Sequence, residues 1–212
     1  MQSYLLDEKN VNYVAYSVPH PLDNKLLIRL SISNNNDNIY KLYIFMCGII
    51  FILSKNKTNI INNLLNSLYL IQNRGYDSAG ICSMIDNQFI TTKYASTDKE
   101  SALVKVEVEK EKHDGAYVSI GHTRWATHGA KTDINAHPHI DCYNTFAIVH
   151  NGIIENSDEL KKDLEEKGFK FKSQTDTEVI TILVTHFLNN SKPLESVFKT
   201  LEKLKGSFAL GI

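Results

Sequence analysis

Apolar positions fall into two regimes along this chain, and the change comes at Cys47. The first 45 residues carry the polar run Ser33-Asn34-Asn35-Asn36-Asp37-Asn38, the prolines of Pro19-His20-Pro21 and short apolar patches such as Leu26-Leu27-Ile28. Neither a period of two nor one of 3.6 is sustained there, so the segment reads as an appendage with one strand, not as core. From Cys47 to Leu53 the chain is a short continuous apolar run, the pattern of a buried strand. Ile60, Ile61, Leu64, Leu65, Leu68 and Tyr69 then recur at helical spacing and predict an amphipathic helix ending before Arg74-Gly75. Strands are predicted over 117–124 and 145–150.

Three more helices follow. One starts at Asn156, with Glu159 three residues on as in a capping box, carries Leu160 and Leu164 and stops at Gly168. The next repeats that start with Thr175 and Glu178 and runs through Val179, Ile180, Leu183 and Phe187. The last carries Leu194, Val197, Phe198, Leu201 and Leu204, with Gly206 as its stop. Phe208 to Ile212 opens a further strand, which suggests that the natural polypeptide continues. The expected organisation is an extension over 1–46 outside the core and one domain over 47–212, truncated at its C-terminal end.

The remaining composition narrows the functional classes. With 212 residues, 42% of them hydrophobic, the chain can build one domain with a substantial core. A formal net charge of −1 provides no long-range field for nucleic acid or an anionic membrane. The apolar run from Ile44 to Leu53 is about half the length of a membrane span and lies too far into the chain for a signal peptide. Cys47, Cys82 and Cys142 form an odd, scattered set, which argues against a disulfide framework and for a reducing, cytoplasmic compartment. Cys82 and Cys142 are expected to be small core hydrophobes.

Cys47 is different because Met46 directly precedes it. Were Cys47 the terminal residue, its own α-amine, titrating near ~8 where a lysine titrates near ~10.4, would lie within reach of its thiol. One residue would then supply both nucleophile and proton acceptor. Read alone, Cys47 is equally a buried structural cysteine. Polar residues between the predicted elements add further candidates. Gly121-His122-Thr123-Arg124-Trp125-Ala126-Thr127-His128-Gly129 leaves a strand into a loop suited to holding a polar ligand. Arg124 offers a planar donor fork for a carboxylate, or is a surface charge. His150-Asn151-Gly152 sets an amide side chain beside a flexible backbone N–H, which fits an oxyanion hole or a plain Asn-Gly turn. Asp176, in the first turn of its helix, is a partner for the helix dipole or for a substrate ammonium.

Taken together, six segments resemble the glutaminase domain of the glutamine–fructose-6-phosphate aminotransferases. They are Cys47-Gly48-Ile49-Ile50, Arg74-Gly75-Tyr76-Asp77-Ser78-Ala79-Gly80, Gly121 to Gly129, Asn135-Ala136-His137-Pro138-His139, His150 to Asn156, and Thr175 to Glu178. They occur in the family's order, and the resemblance covers residues 47 to 212. It implies an α+β fold, the four-layer αββα sandwich of the N-terminal-nucleophile hydrolases. It also implies glutamine as substrate and no cofactor or metal. Cys47 matches the nucleophile, Asn151 and Gly152 the oxyanion hole, and Arg74 a residue that positions the terminal cysteine. Arg124 matches the holder of the glutamine α-carboxylate and Asp176 the acceptor of its α-ammonium. Thr127 and His128 lie on the loop that closes over glutamine, and Trp125 matches the gate for ammonia.

Two departures accompany the resemblance. The family's mature chain begins at the cysteine, whereas 46 residues precede it here. The family's sugar-isomerase domains, which bind fructose 6-phosphate, have no counterpart in this sequence. Two other classes are weighed beside the glutaminase. One is a catalytically silent binding or regulatory module in which Cys47 is not terminal. The other is a metal hydrolase built from His122, His128, His137, His139 and His150, for which only His137-x-His139 is tightly spaced.

Overall fold

A computed structural model describes residues 11–17, 25–32, 39–44, 48–54, 60–126 and 129–212. Its strands are β1 (Val11–Ser17), β2 (Lys25–Ile32), β3 (Ile39–Ile44), β4 (Gly48–Ser54), β5 (Ser78–Ile85), β6 (Gln88–Ala95), β7 (Val118–Arg124), β8 (His139–Ile140), β9 (Ala147–Ile154) and β10 (Gly206–Gly211). The helices are α1 (Ile61–Leu70), α2 (Ala102–Val108), α3 (Ser157–Glu166), α4 (Asp176–Leu188) and α5 (Pro193–Lys203). The strands form two five-stranded sheets, ordered β1-β2-β10-β9-β8 and β3-β4-β7-β5-β6.

Strand periodicity explains the layering. Successive side chains point to opposite faces. Ile49, Cys82 and Ile120 of one sheet meet Ala147 and Val149 of the other in a core between the sheets. The alternate residues Ile50, Ile52 and Ile81 pack against Ile61, Leu64, Leu65 and Leu68 of α1 and Leu103 and Val106 of α2. On the far side Ile148, Ile154 and Phe208 pack against Leu160 and Leu164 of α3 and Val179, Ile180, Leu183 and Val184 of α4. The order of layers is therefore helices, sheet, sheet, helices.

The helical period of α1 and the Thr175 cap of α4, whose hydroxyl accepts the Glu178 N–H at 3.3 Å, are as the sequence predicts. Asn156 differs. Its side chain makes no cap for α3 but donates to the Lys203 carbonyl (2.9 Å) and accepts the Lys205 N–H (2.8 Å), tying α3 to the exit of α5. The stretch before Cys47 differs too, since three strands lie in it. β1 pairs with β2, β2 runs parallel to β10, and β3 runs antiparallel to β4. Cys82 is buried, and burial pushes its thiol up to about 11. Cys142 is exposed, against expectation, because it sits in the turn that links β8 to β9.

Candidate active site

The same alternation aims polar side chains into the seam between the sheets. On β7, His122 and Arg124 follow Ile120 on the inner face, and on β9 Asn151 follows Val149. All three are at least 95% buried. The His122 imidazole Nε2 lies 2.7 Å from the Asn151 Oδ1, a hydrogen bond from one sheet to the other. On the opposite face of β9, His150 turns toward α4. Its Nδ1 is 3.0 Å from the Thr177 hydroxyl and 3.5 Å from Asp176 Oδ1.

β9 does not stop at the Asn-Gly pair. It continues to Ile154 because β10 pairs along it, with Asn151 opposite Ala209 and Gly152 opposite Phe208. Gly152 holds φ +118, and a Cβ there would meet the Ser207 carbonyl oxygen at 2.1 Å, so only glycine fits. Asp176 begins α4 and accepts the Ile154 N–H at 3.0 Å, which fixes the helix start against the end of β9.

Arg74 closes a short 3₁₀ turn after α1 and is exposed. Gly75 lets that turn lie against β7, since a Cβ there would stand 2.6 Å from the Arg124 backbone. Gly48, at the head of β4, pairs with Thr123 and abuts Ile71. The residue that follows Cys47, the Arg74 turn and Arg124 are therefore neighbours. Trp125 is 59% exposed just beyond them. Cys47, Thr127 and His128 lie outside the described residues.

The charges near Arg124 are mixed. Burial depresses its pKa, and the carboxylates of Asp176 and Asp77 act against that depression. A guanidinium in this setting remains charged. Asp77 also brackets the loop after β7. Its Oδ2 accepts the Ala126 N–H (2.8 Å), its Oδ1 meets Lys131 Nζ (2.5 Å), and its N–H donates to the Arg124 carbonyl (3.1 Å). Burial works to raise the Asp77 pKa, but Lys131, the Ala126 N–H and Arg124 together hold it low. Asn135 and Gln174 then bind that loop to the start of α4. Asn135 accepts the Gln174 N–H (2.9 Å) and donates to Ala130 O (2.9 Å), while Gln174 Oε1 accepts the Ala130 N–H (3.0 Å). Of these, Asp77 stands inside a recognised motif, whereas Gln174 carries no sequence signal.

The buried histidines do not converge on a metal. His137 Nε2 bonds the Thr177 hydroxyl at 2.7 Å and His139 Nε2 the Thr175 hydroxyl at 3.1 Å, while the His122 and His137 rings stack at 4.4 Å. No group of three His, Cys, Asp or Glu among the described residues is arranged to hold a metal ion. Burial lowers the pKa of His137 and His139 well below the usual value. It also lowers His113 and His122 to about 4 from 6.5. The unfolded chain thus takes up protons near pH 6.5 while the folded chain refuses them until about pH 4. Stability should be flat above that window and fall as pH is lowered through it. Urea midpoints measured across this range check the sign, and a midpoint unchanged between the two limits would contradict it.

A family model described as a glutamine amidotransferase domain matches residues 122–212. The glutamine–fructose-6-phosphate aminotransferase (isomerizing) of Aquifex aeolicus is 46% identical over 167 residues, covering 79% of this chain and 27% of that protein. The probable enzyme of the same name from Acanthamoeba polyphaga mimivirus is 42% identical over 166 residues, covering 78% of this chain and 27% of its own length. The chain carries a glutamine amidotransferase domain.

Among solved structures, this amidotransferase domain is similar to the glutamine phosphoribosylpyrophosphate amidotransferase of B. subtilis. The TM-score is 0.64 at 26% identity, over 77% of this chain and 34% of that one. A second neighbour, an allosteric regulatory enzyme of purine biosynthesis, matches at TM-score 0.65 and 26% identity over the same shares. The four layers are those of the N-terminal-nucleophile sandwich. The amidotransferase domain spans only 27% of either aminotransferase relative. No described helix is long and apolar enough to cross a membrane.

Proposed function

We propose that the domain hydrolyses glutamine through Cys47 and passes the ammonia to a sugar-phosphate acceptor. The observation that carries this reading is the buried guanidinium of Arg124 within electrostatic reach of the Asp176 carboxylate. A buried cation and a carboxylate at one site complement an amino acid's α-carboxylate and α-ammonium. The Cys47 thiolate attacks the side-chain amide carbon, and the carbonyl oxygen becomes an oxyanion facing Asn151 and the Gly152 N–H. The proton taken by the Cys47 amine goes to the leaving nitrogen, so ammonia departs and a γ-glutamyl thioester remains. Water then releases glutamate. Arg74 positions the cysteine, Thr127 and His128 close over glutamine, and Trp125 gates the ammonia.

The names of the aminotransferase relatives point to fructose 6-phosphate as the acceptor. Its site belongs to sugar-isomerase domains that complete the transfer, and the setting is cytoplasmic. The mechanism requires Cys47 to present a free amine, so residues 1–46 are absent from the active form. Incubating the form that begins at Cys47 with glutamine and measuring glutamate tests the reading, and a silent binding module would release none.

The clamp has its own test. Arg124→Ala and Asp176→Ala should each weaken glutamine binding by roughly 10- to 100-fold, the value of one charge-assisted hydrogen bond of about 1.5–3 kcal/mol. Isothermal titration checks it, and an affinity unchanged by Arg124→Ala would reduce that arginine to a structural charge.

A further inference from the structure

An oxyanion hole depends on which way its amide points, and in this domain another side chain decides that. We propose that His122 is a positioning residue that orients the Asn151 amide so that its nitrogen, not its oxygen, meets the developing oxyanion. This rests on the glutaminase reading above and deepens it.

The geometry permits only one useful arrangement. Asn151 Oδ1 sits 2.7 Å from His122 Nε2, with His122 2% and Asn151 4% exposed. An amide oxygen is only an acceptor, so Nε2 must carry the ring proton. Burial keeps the ring neutral near pH 7, its bond to Asn151 notwithstanding. A neutral imidazole has a single N–H, and that N–H is committed to Asn151. The His150 backbone also acts on the ring and favours its protonated form, but Nδ1 meets no partner at hydrogen-bond geometry. With the opposite tautomer Nε2 would be an acceptor, the amide would turn over, and its oxygen would face the oxyanion and repel it.

The ring cannot easily rotate out of this arrangement. His137 stacks on it at 4.4 Å with the planes 27° apart, and His137 is itself held by the Thr177 hydroxyl at 2.7 Å. Thr177 also bonds His150, which stands beside Asp176. The residues that fix the oxyanion amide are thus packed onto those that fix the ammonium acceptor.

Two measurements decide the matter, made on molecules from the full reading frame whose mass begins at Cys47. Long-range ¹H–¹⁵N histidine spectra near neutral pH, with His122 assigned by its absence from His122→Gln, should show the Nε2–H tautomer; an Nδ1–H tautomer overturns the proposal. In glutamine hydrolysis, His122→Leu should lower kcat on the order of 10- to 100-fold, below the roughly 10²–10³ typical for outright loss of an oxyanion donor. KM should stay within about threefold, and His122→Gln, whose amide N–H can replace the ring N–H, should recover most of the rate. In an Asn151→Ala background His122→Leu should cost nothing more, because its effect passes through Asn151. An undiminished kcat in His122→Leu, or a full additional loss in the double variant, overturns the inference. Absence of glutamate from the unsubstituted Cys47-start form would instead remove the underlying glutaminase reading, and the tautomer would still judge the orientation of the amide.

Discussion

Cys47→Ala should abolish glutamate release, with a loss on the order of 10⁴-fold or more, as expected when a hydrolase loses its nucleophile. No other described thiol can take over. Cys82 is buried with its pKa pushed up to about 11, and Cys142 lies exposed in the turn after β8. The alanine variant should keep its urea midpoint and its affinity for glutamine, because the proposed clamp of Arg124 and Asp176 stays in place. A coupled assay for glutamate, run beside titration of glutamine binding, separates chemistry from recognition. Glutamate release at the unsubstituted rate would remove Cys47 from the mechanism.

Asn151→Ala should lower kcat by about 10²–10³ while KM changes little, since the proposed role of the amide is to meet charge that develops only in the transition state. Asn151 is a cleaner probe of the oxyanion hole than Gly152. Any side chain at position 152 would be strained at φ +118 and would collide with the Ser207 oxygen, so a loss there would mix chemistry with folding. Steady-state kinetics checks the split. A rise in KM at constant kcat would instead make Asn151 a ground-state binding residue.

How legible these features were in the sequence depended on whether their signal was local. The 3.6 period of Ile61, Leu64, Leu65 and Leu68 gave α1 because one face of that helix is wholly apolar. The hairpin of β5 and β6 carries no local sequence signal. Its turn uses Asp86 and Asn87 at positive φ with no glycine. Its buried positions also include Ser83 and Thr92, which are polar because they bond the buried His113. Before Cys47 there are three strands where the sequence suggests one; β2 finds a partner in the distant β10, but β3 pairs with the adjacent β4 and its apolar pattern is too short to show a period.

The candidate site was readable as chemistry but not as geometry. Arg124, Asn151 and Asp176 announced themselves by residue type and motif. His122 looked like a possible metal ligand, since nothing local reveals that its partner is an amide on the opposite sheet, 29 residues away. Asn156 misled for the opposite reason. It has the residue type of a cap, yet the chain leaving α5 passes close enough to claim its amide.

The most direct test of the amine-assisted cysteine mechanism is to express the full reading frame and determine intact mass and glutaminase activity on the same sample. Activity should track the fraction of molecules whose mass begins at Cys47, because an acylated Cys47 nitrogen is an amide and no base near neutral pH. The thiol would then depend on the few per cent of thiolate present near pH 7. A homogeneous product that retains Met1 yet hydrolyses glutamine as fast as the Cys47-start form would contradict the mechanism.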